Sequence, residues 1–449
     1  MRRSLVVLQI ALLAGAAPGQ SRPAGGWEQV FRPGKGDGAV GGTEILHLVA
    51  HKGRLFAGNG YWMDPRGPAN TPWAQVLVLD SPGGAWKVDL AMGAGHLRAT
   101  ALKSVTFATD AAGKPLDPPV NLLLAASDIQ TGPKATHIWT RDDDRGTWVR
   151  TTLPASEALR RSTRAFAVHR DRVTHVDRVF VAAGAPGIFS GAYDPALPGK
   201  IRWDQQPELG PLAIRPMSFA EADGHLYASA GTSVYRRRDG AGPSWEKVYS
   251  DDDTPEHWEL GGIRGLTPIP SPARTGESLL LSHTDRIIRI DCAQGHHATL
   301  ELRIGPLLEK HWGTSVAGGV IAAYNDMLPL RDPATGRTVH VFGVQGRIRR
   351  VRRGQSDAAT QGGWRPAGTY LIREAGGAYR LGEVDGPWQP GKPMLVAPRA
   401  LAVSPFPADA GRVVYVGGFD CNFFPARDSA WVFRAPVETV LANGEQTAR

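Results

Sequence analysis

Cysteine is nearly absent: Cys292 and Cys421 are the two in 449 residues. That is too few for a disulfide framework, so the fold must rest on buried apolar surface, whether or not these two pair. Long apolar runs are equally scarce. One follows Arg2 and Arg3, "SLVVLQIALLAGAA", and no later stretch is long enough to cross a bilayer. A G-x-S-x-G elbow, a phosphate loop, an H-E-x-x-H zinc pattern and a dinucleotide fingerprint are all missing. Their absence removes the usual signatures of esterases, nucleotide-using enzymes and zinc peptidases, and neither a metal nor a cofactor is expected. Basic runs are missing too, apart from "RIRRVRR" at 347–353, which alternates like an exposed strand. Nucleic acid is therefore not an expected partner. The acidic stretches "RDDDRG" at 141–146 and "SDDDTPEHWE" at 250–259 read as solvated turns rather than calcium loops.

What is present begins with a targeting pattern. Two arginines, a short apolar run and small residues at 14–17 predict a signal peptide over residues 1–20 and a secreted or periplasmic protein without a membrane span. Without Arg2 and Arg3 the chain keeps 49 basic against 43 acidic side chains, a modest excess carried mostly by arginine. Hydrophobic residues make up 42%, enough for a large core, while 54 glycines and 35 prolines favour short strands and turns over helices.

A repeat organises the rest. "TRAFAVHRD…RVFVAAGAPGIFSGAYD…IRWDQQP" and "IRPMSFAEADGHLYASAGTSVYRRR…SWEKVY" share one order: an Arg, three short apolar strands separated by turns, then an outer strand led by Trp, as at Trp86, Trp148, Trp203 and Trp245. "HLRATALKSVTF…", "IRGLTPIP…" and "PRALAVSPFPADAGRVVYVGGF…" follow it, and two further units keep the strands but lose the Arg. Seven units of four strands predict an all-β, seven-bladed β-propeller filling residues 21–449 as a single domain, acting as a monomer. The last unit has three obvious strands. The orphan "WEQVF" at Trp27 supplies the fourth and closes the ring, removing a free sheet edge.

Aligning the turns puts Glu44, Arg98, Arg164, Arg215, Arg264, Asn325 and Arg399 at one position, the entrance of each innermost strand. Five guanidiniums ringing a channel mouth would attract an anion, and arginine's planar fork suits a carboxylate. A structural role, pairing with neighbouring blades, is the alternative reading of the same ring. Loops on that face add Trp62, Tyr61 and Trp73, then Asp420, Asn422, Phe423 and Phe424, side chains suited to a sugar ring. His96, two residues before Arg98, and His283 are the candidate bases, with Tyr61 and Tyr324 as further proton donors.

"GHLRATALKSVTF", "GGIRGLTPIP", "AAYNDMLPLRDP" and "SPFPADAGRVVYVGGFDCNFFPARDSAWVFRA" resemble stretches of a family of exported bacterial and fungal propellers, over about residues 40–435. That family is associated with polysaccharide lyases that remove terminal rhamnose from glucuronate. The resemblance implies a uronate-binding channel mouth and β-elimination, a carbon–oxygen lyase activity on an acidic glycan. On that reading Arg164 and Arg215 clamp the carboxylate and His96 or His283 takes the proton. A lectin-like propeller that merely holds acidic glycans, and a sialidase-like hydrolase suggested by degraded Asp-boxes such as "RDDDRGTW", are the alternatives.

Overall fold

The computed structural model describes residues 26–32, 40–61, 73–129, 135–154, 162–251, 262–273, 275–348, 363–385, 394–422 and 429–442. Strand makes up 57% and helix 6%, so the chain is all-β. Among the described residues every sheet is antiparallel. Glu44–His51, Arg54–Gly60, Gln75–Leu79 and Lys87–Ala91 form one, and His96–Thr109, Pro115–Ile129, His137–Asp142 and Thr147–Thr152 the next. A pairing of Gly60 with Arg98 joins these two into an eight-stranded sheet. Three four-stranded sheets follow, spanning Phe166–Arg170 to Ile201–Trp203, Pro216–Ala222 to Ser244–Ser250, and Arg264–Pro270 to His297–Arg303. In a five-stranded sheet, Val316–Ala322 and Leu328–Arg331 share the partner Thr338–Ile348, and Thr369–Arg373 and Tyr379–Glu383 complete it.

The last sheet draws on both ends of the chain. Ala397–Val403, Val413–Phe419 and Ala430–Pro436 are followed in space by Glu28–Phe31, which pairs antiparallel with Ala430–Pro436. Trp27 is buried beside this strand, its ring edge-on to Tyr370 at 6.0 Å. The clasp expected from "WEQVF" is thus formed.

Patterning explains the layering. Middle strands such as Gln75–Leu79 are buried along their whole length because a neighbouring sheet covers each face, and they read as unbroken apolar runs. Outer strands such as Thr147–Thr152 stay partly exposed and mix polar with apolar side chains. Adjacent sheets share separate cores: Phe107, Leu124, Val179 and Trp203 between one pair, Phe56, Val76, Leu102 and Trp139 between another. Trp203 closes its strand rather than leading it.

Innermost strands touch in chain order from Glu44–His51 to Arg264–Pro270, the 316–383 sheet meets its neighbours through Glu277–His283 on one side and Ala397–Val403 on the other, and Ala397–Val403 packs back against Glu44–His51. This is a propeller arrangement around a central channel. Buried ion pairs tie successive sheets together near their outer strands: Arg141 Nε and Nη2 donate to Asp89 at 2.9 and 3.0 Å, and Arg373 Nε and Nη2 donate to Glu301 at 2.7 and 2.8 Å. Both cysteines are free thiols.

Candidate functional site

The aligned positions stand at the starts of the innermost strands. Glu44 and Arg264 open theirs, Arg98 and Arg399 are third residues, and Arg164 and Arg215 just precede Phe166–Arg170 and Pro216–Ala222. All six side chains are buried. Asn325 lies in the break between Val316–Ala322 and Leu328–Arg331, where the chain turns through Ala323 at φ 45°. That left-handed turn, unusual for alanine, swings the next residue, Tyr324, in among the arginines.

Tyr324 is the hub of the site. The guanidinium carbons of Arg399, Arg164 and Arg264 lie 4.0, 4.5 and 4.8 Å from its ring centroid, and Arg164 Nη1 donates to its hydroxyl at 2.8 Å. Such packing sets cations on an aromatic face in a desolvated place, where the attraction is strong. Burial alone would push the phenol upward, but Arg164, Arg98 and Arg399 outweigh it and bring Tyr324 down to about 8. Burial, then the like charges of Arg164, Arg215 and Arg399, lowers Arg264 to about 9 despite its contact with Tyr324. The local potential is therefore strongly positive.

Among the described residues two carboxylates join this cluster. Asp128 accepts Arg98 Nε and Nη2 on Oδ2, both at 2.7 Å, and the Arg98 backbone N–H on Oδ1 at 2.8 Å. Glu44 accepts Arg399 Nε at 3.2 Å and lies 3.6 Å from Arg98 Nη1, linking three successive sheets. Arg98 and Arg399 are thus engaged by acids, while Arg164 and Arg264 face Tyr324. Asn325 serves the backbone: its Nδ2 donates to the carbonyls of Leu46 at 2.5 Å and Arg399 at 3.1 Å. Gly265, at φ 64°, sits against this turn, and a Cβ there would lie 2.5 Å from that of Ala323.

The remaining candidates lie in other surroundings. The register shifts between His96 and Arg98, so simple alternation fails there; His96 Nδ1 is 2.6 Å from Ser127 Oγ, and its ring packs on Trp139 at 4.9 Å and His137 at 5.4 Å. Burial first, and then His137, lowers His96 to about 4. His283 is fully buried, its Nδ1 2.5 Å from Asp251 Oδ2, an acid shared with Arg286. Asp420 accepts the backbone N–H groups of Met394 at 3.1 Å and Asn422 at 2.9 Å. Asn422 accepts from Trp364 N at 3.1 Å and donates to Trp364 O at 2.6 Å, so both side chains pin loops. Tyr61 is buried. Trp62, Phe423 and Phe424 lie outside the described residues, as do 1–20, 252–259 and 349–353. Asp128 has no sequence signal of its own; its role depends on the register that sets it opposite Arg98.

No protein-family model and no curated protein matches the chain. Solved structures similar to it include an α-L-arabinofuranosidase from Fusarium graminearum, determined with an iminosugar inhibitor: 10% identity, 92% of this chain and 98% of that one covered, TM-score 0.40. A putative 6-phosphogluconolactonase from Bacteroides uniformis is 13% identical over 82% of this chain and 92% of that one, TM-score 0.40. A protein of unknown function from Dyadobacter fermentans is 12% identical over 73% and 95%, TM-score 0.39.

Proposed function

We propose that the chain is an exported, seven-bladed propeller whose arginine ring holds the carboxylate of a uronate-bearing glycan, and that it cleaves the bond at O4 of that uronate by β-elimination. The observation that carries this reading is the convergence of Arg164, Arg264 and Arg399 on one phenol, with Arg98 and Arg215 in the same ring. Fixed guanidiniums that neutralise a carboxylate make the adjacent C5 proton acidic and stabilise the enediolate that forms when it leaves. The quoted resemblance to rhamnosyl-glucuronate lyases points to the same substrate class.

Elimination also needs a group that takes the proton, and Tyr324 suits it better than either histidine. Its hydroxyl is held by Arg164, and its ionisation near pH 8 gives a reactive fraction of phenolate at neutral pH. In this scheme the phenolate removes the C5 proton. That bonding pair becomes the C4–C5 double bond, the C4–O4 pair departs with oxygen, and the leaving oxygen takes the proton now held by the Tyr324 hydroxyl, which returns the phenolate. Arg164 and Arg215 orient the acid.

Incubating the full chain with uronate-containing glycans while following the ultraviolet absorbance of the unsaturated uronate tests the reading. Product should form with at least one glucuronate-bearing glycan, and Tyr324→Phe should abolish it while glycan affinity stays within a few-fold. Binding without product from any glycan would replace the lyase by the lectin.

A further inference from the structure

The ring closes one end of a cavity of about 380 Å³ that runs down the propeller axis. Leu48, Phe166, Met217, Phe219 and Leu401 supply apolar wall, and Arg164 lies at the deep end. Ala50 and Lys103, both exposed, line the opposite end. From Glu44 in the ring to Ala50 is six residues of one strand, roughly 20 Å at about 3.3 Å per residue, so this mouth is on the face away from the ring.

Most polar groups along the wall are already occupied. His47 Nε2 lies 2.8 Å from the carbonyl of Thr100, Ser218 Oγ is 3.0 Å from Ser229 Oγ, and Asn325 donates to Leu46 and Arg399. Arg164 differs. Its Nη1 serves Tyr324, whereas its Nε, buried in a side chain only 3% exposed, has no hydrogen-bond partner. A buried N–H of a guanidinium left unfilled is costly unless an acceptor meets it. The cavity also has one dominant chemistry: hydrocarbon walls with a cation at the base and Lys103 at the far mouth, while Asp326, exposed and next to Asn325, is the carboxylate that lines it.

We propose that this channel binds a small organic carboxylate, its acid on Arg164 and its hydrocarbon against the channel wall. The site is separate in approach from the glycan face and does not depend on lyase chemistry, although both use Arg164. Isothermal titration of the full chain with benzoate tests it. Wild type should bind one benzoate saturably, and benzyl alcohol, which lacks the charge, should bind at least about tenfold more weakly, as expected for loss of one charge-assisted contact. Arg164→Gln should lose a similar factor. Ala50→Trp, which fills the far mouth, should abolish benzoate binding and leave binding of a glucuronate-bearing oligosaccharide unchanged. No saturable benzoate binding to wild type, or undiminished binding by Ala50→Trp, overturns the proposal. If benzoate behaves as expected while no acidic glycan binds, the glycan reading falls and the channel site stands.

Discussion

A phenol surrounded by guanidiniums has a consequence at the residue scale that can be read directly. The folded chain holds Tyr324 at about 8, below the ordinary tyrosine value near 10, so its ionised form favours the native state. That stabilisation is complete above about pH 10 and is lost as pH falls through about 8. Other shifted tyrosines, Tyr227, Tyr379 and Tyr415, move upward through burial. A spectrophotometric titration should therefore show one phenol ionising near pH 8 in the wild type and none there in Tyr324→Phe. If no tyrosine of the native protein ionises below pH 10, the charge environment drawn around Tyr324 is wrong. The arginines of this site were legible in the sequence because each recurs at the same place in a repeat. Tyr324 was visible only as a proton donor among others, since its central place depends on the backbone turn at Ala323 and on Gly265 leaving room for it. Asp128 was not legible at all, because opposition to Arg98 across two strands is a property of register.

At the scale of elements, strand order and the borrowed N-terminal strand could be read from the position of tryptophans and the missing fourth strand of the last unit. Two departures could not. The innermost strand of the 316–383 sheet is broken, with Val316–Ala322 and Leu328–Arg331 both paired to one long strand. The helix Ile304–Trp312 interrupts the strand pattern, burying Ile304, Leu307 and Leu308 and ending at Gly313 in a left-handed cap. The helix occurs where the chain crosses between sheets, so the repeat puts little constraint on it, whereas the break falls inside a sheet at the left-handed turn through Ala323. The clasp itself carries a prediction. Deleting residues 26–32 exposes the edge of Ala430–Pro436 and removes Trp27 from its contact with Tyr370 and from the core that also holds Trp431, so the melting temperature should fall sharply. Trp27→Ala alone should cost about 3–5 kcal/mol in chemical denaturation, the usual range for a fully buried tryptophan. A truncated chain that melts like the full one would mean the strand adds nothing to closure.

For the whole molecule, the sheets do two different things with arginine. Toward the outside, Arg141 and Arg373 meet Asp89 and Glu301 in closed pairs that hold neighbouring sheets together. On the axis, guanidiniums approach one another, and burial together with the like charges of Arg164, Arg215 and Arg399 lowers Arg264. A structure that only needed cohesion would not gather like charges at its centre. That contrast is the basis for an anionic ligand there, and substituting the ring while retaining its charge tests it most directly. Arg164→Lys and Arg215→Lys keep the cation and lose the planar fork. Binding of a glucuronate-bearing oligosaccharide and the melting temperature should be measured on the same samples. If the ring grips a carboxylate, affinity falls by about 1.5–3 kcal/mol for a lost charged hydrogen bond while the melting temperature barely moves. Lowered melting temperatures with unchanged glycan affinity in both variants would make the ring architectural and contradict the account.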